Sequence, residues 1–208
     1  MQIQRFTHIF NSLPIHLAVF GSLLALLAAI FPGAHYSLSS SVFLPLHTAI
    51  EIISVIIGGA IFALVWESRR HRSKGTLLLA CAFLAVSCLD FAHLLSFPGM
   101  PDFFTPSSTQ KAINFWLAAR LTAAISLLIF ALRASAPCIA SNTHCRAQFG
   151  GALAYSGILI WILLALPESI PATVTPGGGL TAFKIGSEWL VITINIVAAI
   201  FLLRRHQI

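Results

Sequence analysis

Charge is what this sequence has least of. Of its 208 residues only 9% are Asp, Glu, Lys or Arg, and just six are acidic. Soluble domains carry about 25% charged residues, so a water-soluble fold hydrated by ionised side chains is excluded. Nucleotide chemistry is missing as well: there is no Gly-rich phosphate loop and no cyclase or kinase signature. No His-Glu-x-x-His pair occurs, which removes the common zinc hydrolases. The four cysteines make no disulfide framework. Cys81 and Cys88 fall inside one apolar run, and Cys138 and Cys145 fall between two others. The spacing of Cys138, His144 and Cys145 matches no standard zinc finger.

What fills the chain instead is apolar sequence, 58% of all residues. Six runs stand out, at about 15–31, 44–66, 75–95, 112–132, 150–166 and 185–203. A helix of roughly 20 apolar residues crosses a hydrocarbon core of about 30 Å. Barrel strands alternate apolar and polar over about ten residues, whereas these runs are continuous. Turn chemistry separates them at Pro32-Gly33, Pro98-Gly99, Pro106-Ser107-Ser108, Ala136-Pro137 and Pro176-Gly177-Gly178-Gly179. The expected fold is all-α: a polytopic membrane helix bundle of six helices forming a single domain over 1–208, with no output domain. Pro32-Gly33-Ala34-His35 is a weak cleavage site, so the first helix is expected to be retained.

Lys and Arg give an orientation. Arg5, then Arg69, Arg70, Arg72 and Lys74, then Arg133 and Arg146, then Arg204 and Arg205 fall on one side if six helices alternate. The opposite loops hold only Lys111 and Lys184. Both termini are therefore expected to face the cytoplasm, with Cys138 and Cys145 in a reduced cytoplasmic loop. The net charge of +6 reads as a topology signal for a lipid bilayer and not as a nucleic-acid surface, since the basic residues sit at helix ends without a motif.

Ionisable residues inside membrane helices are costly and mark function by default. The second run holds His47 and Glu51, the third Asp90 and His93, the fourth Arg120 after Trp116, and the sixth Glu188 before Trp189. In the expected topology all six ionisable groups occupy the outer half of the bilayer. His47 and Glu51 are i and i+4, and Asp90 and His93 are i and i+3, so each pair shares a helix face. The second and third runs are joined by a short basic turn and are expected to pack as an antiparallel hairpin. His47, Glu51, Asp90 and His93 can then converge as metal ligands, since imidazole and carboxylate suit copper, zinc or iron; haem is a further possibility, and Cys88 would favour Cu(I). Trp116, Arg120 and Glu188 are candidates for a ligand-binding or polar cluster. The same residues equally suit ion pairs that only hold helices together, or a proton path. No catalytic residue is expected. An intramembrane metalloenzyme would need an open metal position and a base, a role open to Glu51. Gly58-Gly59 reads as a close helix approach. The apolar, Pro-rich loop 98–104 and the stretch 179–184 are expected to fold back over the polar layer.

Four stretches together resemble a known family. Leu46-His47-Thr48-Ala49-Ile50-Glu51, Leu89-Asp90-Phe91-Ala92-His93-Leu94-Leu95-Ser96-Phe97-Pro98-Gly99-Met100, Phe115-Trp116-Leu117-Ala118-Ala119-Arg120-Leu121 and Gly179-Leu180-Thr181-Ala182-Phe183-Lys184-Ile185-Gly186-Ser187-Glu188 look like the MASE3 domain, a bacterial membrane-associated sensor module. The resemblance implies a multi-pass domain of the bacterial inner membrane that acts as the input end of sensor histidine kinases or diguanylate cyclases. It also implies a homodimer, with a cytoplasmic output reached through the last helix. A proton- or ion-coupled transporter is the competing class. It calls for polar residues continuing to the inner face, where the sequence has few.

Overall fold

Five long helices make up the computed structural model, which describes residues 39–133 and 141–206 together with Leu23 and Leu26. They are α1 (Ser40–Glu67), α2 (Lys74–Leu95), α3 (Thr109–Arg133), α4 (Asn142–Ala165) and α5 (Ala182–His206). Each is long and apolar enough to cross a membrane. Apart from Leu23 and Leu26, which are helical, the run expected at 15–31 lies outside the described residues, and with it the count of six. Among those residues there is no strand, only isolated bridges pairing Phe103 with Thr105 and Val174 with Leu180.

The polar residues just before α2, α3, α4 and α5 explain where those helices start. Ser73 Oγ accepts the Thr76 N–H at 3.1 Å, Ser108 Oγ that of Lys111 at 3.1 Å, Ser141 Oγ that of His144 at 3.2 Å, and Thr181 Oγ1 that of Lys184 at 3.3 Å. A hydroxyl at this position satisfies one of the amides that the first helical turn leaves open, for about 1 kcal/mol. The Ser141 cap corrects the expected fifth run. α4 begins at Asn142, not near residue 150, because the cap carries the helix through the polar stretch Asn142–Gln148. Cys145 is accordingly no loop thiol. It is buried on α4 against Leu77 and Cys81. Cys138 lies outside the described residues.

Residues 42–208 pack as one unit, and α2 is its centre. In the most apolar stretch of α2, 61% is buried, against 33% in α3 and 6% in each of α1, α4 and α5. Its Ala80, Ala85 and Ala92 are buried, as are Ala112, Ala119, Ala124 and Ala131 of α3. Small residues let backbones approach, which is how helices associate where lipid removes the hydrophobic drive. One cluster joins Val86, Leu89 and Ala92 to Phe115 and Ala119, and the other joins Leu77 and Cys81 to Cys145.

α1 touches α2 along a single stripe. Leu44, His47, Thr48, Glu51, Val55, Gly58, Phe62, Val65 and Trp66, with Gly59 and Ile61 at its margin, are its less exposed positions, most of them at the 3–4 residue spacing of one helix face. Ile50, Ile53, Ile57 and Leu64 on the other side are exposed, as a lipid-facing surface requires. The two helices approach tightly at Gly58: a Cβ there would collide with Ser87 Oγ and lie 3.5 Å from the Phe83 carbonyl. Gly59 has open space around it, so only the first glycine of the pair makes the approach.

The two ends of the bundle differ in chemistry. The turn 68–73 carries Arg69, Arg70 and Arg72, with Arg69 lying 4.8 Å from the Trp66 ring. Gln148 of α4 donates to the Lys74 carbonyl at 3.3 Å, and Phe130 of α3 sits beside Gly75. The start of α4 and the end of α3, with Arg146 and Arg133, therefore lie at this basic end. The intramembrane ionisable residues lie towards the other.

Candidate functional site

Three of the four candidate metal ligands come together. One ligand atom each from His47 and Glu51 of α1 and His93 of α2 lie within 4.8 Å of one another. Glu51 Oε1 stands 4.0 Å from His93 Nε2. The i, i+4 step on α1 and the antiparallel packing against α2 produce this convergence.

The His93 ring is fixed by its far side. Its Nδ1 lies 2.7 Å from the Ala112 carbonyl on α3. A carbonyl oxygen only accepts, so Nδ1 carries the proton and donates it. That leaves Nε2 as the ring nitrogen that faces Glu51, a lone pair whenever the ring is neutral. His47 completes the group: its Nε2 is buried and, among the described residues, has no hydrogen-bond partner. The two imidazoles stand nearly perpendicular with centroids 5.7 Å apart. Phe97 covers His47 at 4.3 Å and Phe43 stacks on it at 5.6 Å, 7° from parallel. Phe97 comes from the loop after α2, and Gly99 beside it rests near Leu44 of α1. That part of the loop folds back over the site, whereas Phe104 is exposed.

Asp90 does not join the group. Its carboxylate, buried at 3% exposure, accepts from the Arg120 guanidinium at 2.6 and 2.5 Å. Residues three apart on a helix are offset by about 60° around its axis. On the central helix that offset turns His93 towards α1 and Asp90 towards α3.

Trp116, Arg120 and Glu188 line one cleft of about 480 Å³ with Trp189, Val191 and Ile192, between α3 and α5. Glu188 is bound by a residue that the sequence placed only at a loop edge. Lys184, almost fully buried, reaches Glu188 Oε1 at 2.5 Å and lies 4.2 Å from the centre of the Trp116 ring. Lys111 is likewise buried, donating to the Phe103 and Thr105 carbonyls at 2.7 and 2.9 Å. Thr173, fully buried in the loop before α5, sits on the start of α3, where Gln110 Oε1 accepts from its amide at 2.9 Å. Of the residues missed, Phe43 and Phe97 had a signal, each being four positions from a candidate histidine. The Ala112 carbonyl and Thr173 had none.

A polar site assembled at one end of an apolar helix bundle is what a sensory membrane module would contain, and most of the chain matches such a module. The model of the membrane-associated sensor domain MASE3 matches residues 38–208. The chain belongs to the MASE3 family. No curated protein and no solved structure matches it. The helices α1–α5 of this MASE3 domain, with every site residue named above, fall within the matched region.

Proposed function

We propose that this MASE3 domain is a membrane-embedded sensory input module of bacterial signal transduction, in which a cue binds the His47–Glu51–His93 group and alters the packing of α1 on α2. The observation that carries this reading is the group itself: three donors, a buried unpartnered nitrogen among them, gathered across the helix interface. The basic residues at the opposite end support an orientation with that end at the cytoplasmic face of the inner membrane and the site near the outer face. α3 links the two ends. It accepts the His93 proton through Ala112, pairs with Asp90 through Arg120, and packs against α5. The end of α5 is the point from which a cytoplasmic kinase or diguanylate cyclase output would be driven, within a homodimer.

A cue acts only if it binds one arrangement better than the other. Because α1 meets α2 along one stripe, a small rotation of α1 separates His47 and Glu51 from His93. Two competing classes have less support. A proton or ion path would have to pass the buried apolar layer of Leu77, Ala80, Cys81 and Ala85. An enzyme would need a free base, whereas Glu51 belongs to the donor group and Asp90 to Arg120.

The test is a fusion of the chain, through the end of α5, to a diguanylate cyclase domain in bacterial membranes. His47→Ala, Glu51→Gln and His93→Gln are expected to lock cyclase output at one level at equal expression. Output identical to wild type in all three variants, across aerobic, anaerobic and metal-limited growth, overturns the reading.

A further inference from the structure

The His47–Glu51–His93 group gathers three ligand atoms within 4.8 Å of one another and, among the described residues, no hydrogen bond joins them. His93 Nδ1 donates to the Ala112 carbonyl at 2.7 Å, which leaves Nε2 as the nitrogen that faces the carboxylate and, in the neutral ring, is a free lone pair. Glu51 Oε1 lies 4.0 Å from that nitrogen, beyond hydrogen-bond reach. His47 Nε2 is buried without a partner among the described residues. Burying such groups unsatisfied costs about 1–3 kcal/mol each. The chemistry that satisfies them all at once is a cation between them.

We propose that His47, Glu51 and His93 hold a divalent first-row transition-metal ion through two imidazole nitrogens and one carboxylate oxygen, leaving at least one coordination position open to an exogenous ligand. The ion's role as part of the sensed cue rests on the sensory reading above; the site itself does not.

The donor set fits the ion. Two imidazoles and a carboxylate suit zinc, copper or iron, whereas calcium takes six or more oxygen donors and magnesium keeps several waters. A tetrahedral ion with bonds of about 2.1 Å needs donors roughly 3.4 Å apart. The observed spread of up to 4.8 Å closes by rotamer adjustment of Glu51 and a small approach of α1. The Nδ1–H bond to Ala112 is the outer partner that metal-bound histidines characteristically have, fixing tautomer and orientation. Haem suits the geometry less well. Glu51 beside His93 Nε2 and Phe97 against the His47 ring stand where a porphyrin would have to extend. The charge also points outward: one carboxylate leaves a divalent ion with a positive charge in an apolar setting, which an anionic or strongly polar exogenous ligand would offset. Asp90 supplies no compensation, since Arg120 already neutralises it.

The experiment uses the full chain in lipid nanodiscs, stripped with a chelator, loaded with Zn(II) or Co(II), desalted and assayed by elemental analysis. Wild type is expected to retain one ion per chain, and the Co(II) form to show the visible absorption of a low-coordinate site that changes on adding azide. His47→Ala, Glu51→Gln and His93→Gln are each expected to weaken retention at least about tenfold, while His71→Ala and His144→Ala do not. Glu51→Gln keeps the side-chain shape, so its effect separates ligation from folding. Three results overturn the proposal: no retention of Zn(II), Co(II), Cu(II) or Fe(II); retention indifferent to all three site variants; or a group that takes up only a proton. Paired with the cyclase fusion, failures are distinguishable. Variants that change output while wild type binds no ion remove the metal and leave the sensor. An ion bound without effect on output keeps the site and removes its sensory role.

Discussion

Two polar groups hang on the same turn of α2 and have opposite characters. Asp90 faces α3 and meets Arg120 in a two-oxygen ion pair. His93 faces α1 and meets His47 and Glu51, where ligand atoms gather with no hydrogen bond joining them. The first group is closed in charge: Arg120 neutralises Asp90 over short contacts, although the Arg120 Nε has no partner among the described residues. The second is open. Both would be costly in a bilayer if left unpaired, so the closed group reads as architecture and the open one as a place prepared for something else. Adjacency adds purpose to the difference, because a rigid Asp90–Arg120 contact holds the turn that presents His93.

The largest effect should come from opening the closed group. Asp90→Asn leaves the Arg120 guanidinium without its counter-charge; with that guanidinium a third exposed, the cost falls at the low end of that for a broken buried pair, about 3 kcal/mol. The double variant Asp90→Asn/Arg120→Gln removes both charges and should recover most of that loss. Unfolding in mixed micelles, followed by helical circular dichroism, measures both. A single-variant cost under about 1 kcal/mol would mean that the pair is not structural.

That partition was only half legible in the sequence. The i, i+3 spacing placed Asp90 and His93 on one face, and grouping Asp90 with the histidines followed from it. What the spacing omits is that α2 is central, with a partner on either side, so a 60° offset suffices to separate the two side chains. The helices themselves were legible because composition in a bilayer tolerates little else, and α2, α3 and α5 appear close to where their apolar runs lie. α4 was misjudged at its start for a local reason: Asn142, Thr143, His144 and Arg146 look like loop, while a single hydroxyl, Ser141, initiates helix before them. The docking of Thr173 on Gln110 joins residues far apart in the chain through the Thr173 and Val174 amides and the Thr173 hydroxyl, all donating to one amide oxygen, and nothing in residue type marks it.

An intermediate effect separates the closed group from the open one mechanically. Gly58→Ile puts a branched side chain where even a Cβ meets Ser87 and the Phe83 backbone. Overpacking of this kind costs about 1–3 kcal/mol, and here it should push α1 away from α2. The open group spans that interface and the closed group does not. Metal retention should therefore fall in Gly58→Ile while Asp90 and Arg120 stay paired. Gly59→Ala, one position on in open space, should change neither stability nor retention. Equal behaviour of the two glycine variants would mean that the α1–α2 contact does not control the site.

The smallest effect on stability is the most telling. His47 lies between Phe43 and Phe97, in surroundings that would accept a third phenyl ring. As an unpartnered buried nitrogen it costs the metal-free protein something in the range of 1–3 kcal/mol. His47→Phe keeps the aromatic packing and removes that nitrogen. In the metal-free state the variant should be as stable as wild type, or more stable by up to about 1 kcal/mol, while metal retention and cyclase output are lost. A functional residue is one whose removal helps the fold and harms the activity. If His47→Phe instead destabilises the metal-free protein by more than about 1 kcal/mol, His47 is held by contacts that satisfy it. The open group would then be a second closed one, and the difference between the two faces of α2 would disappear.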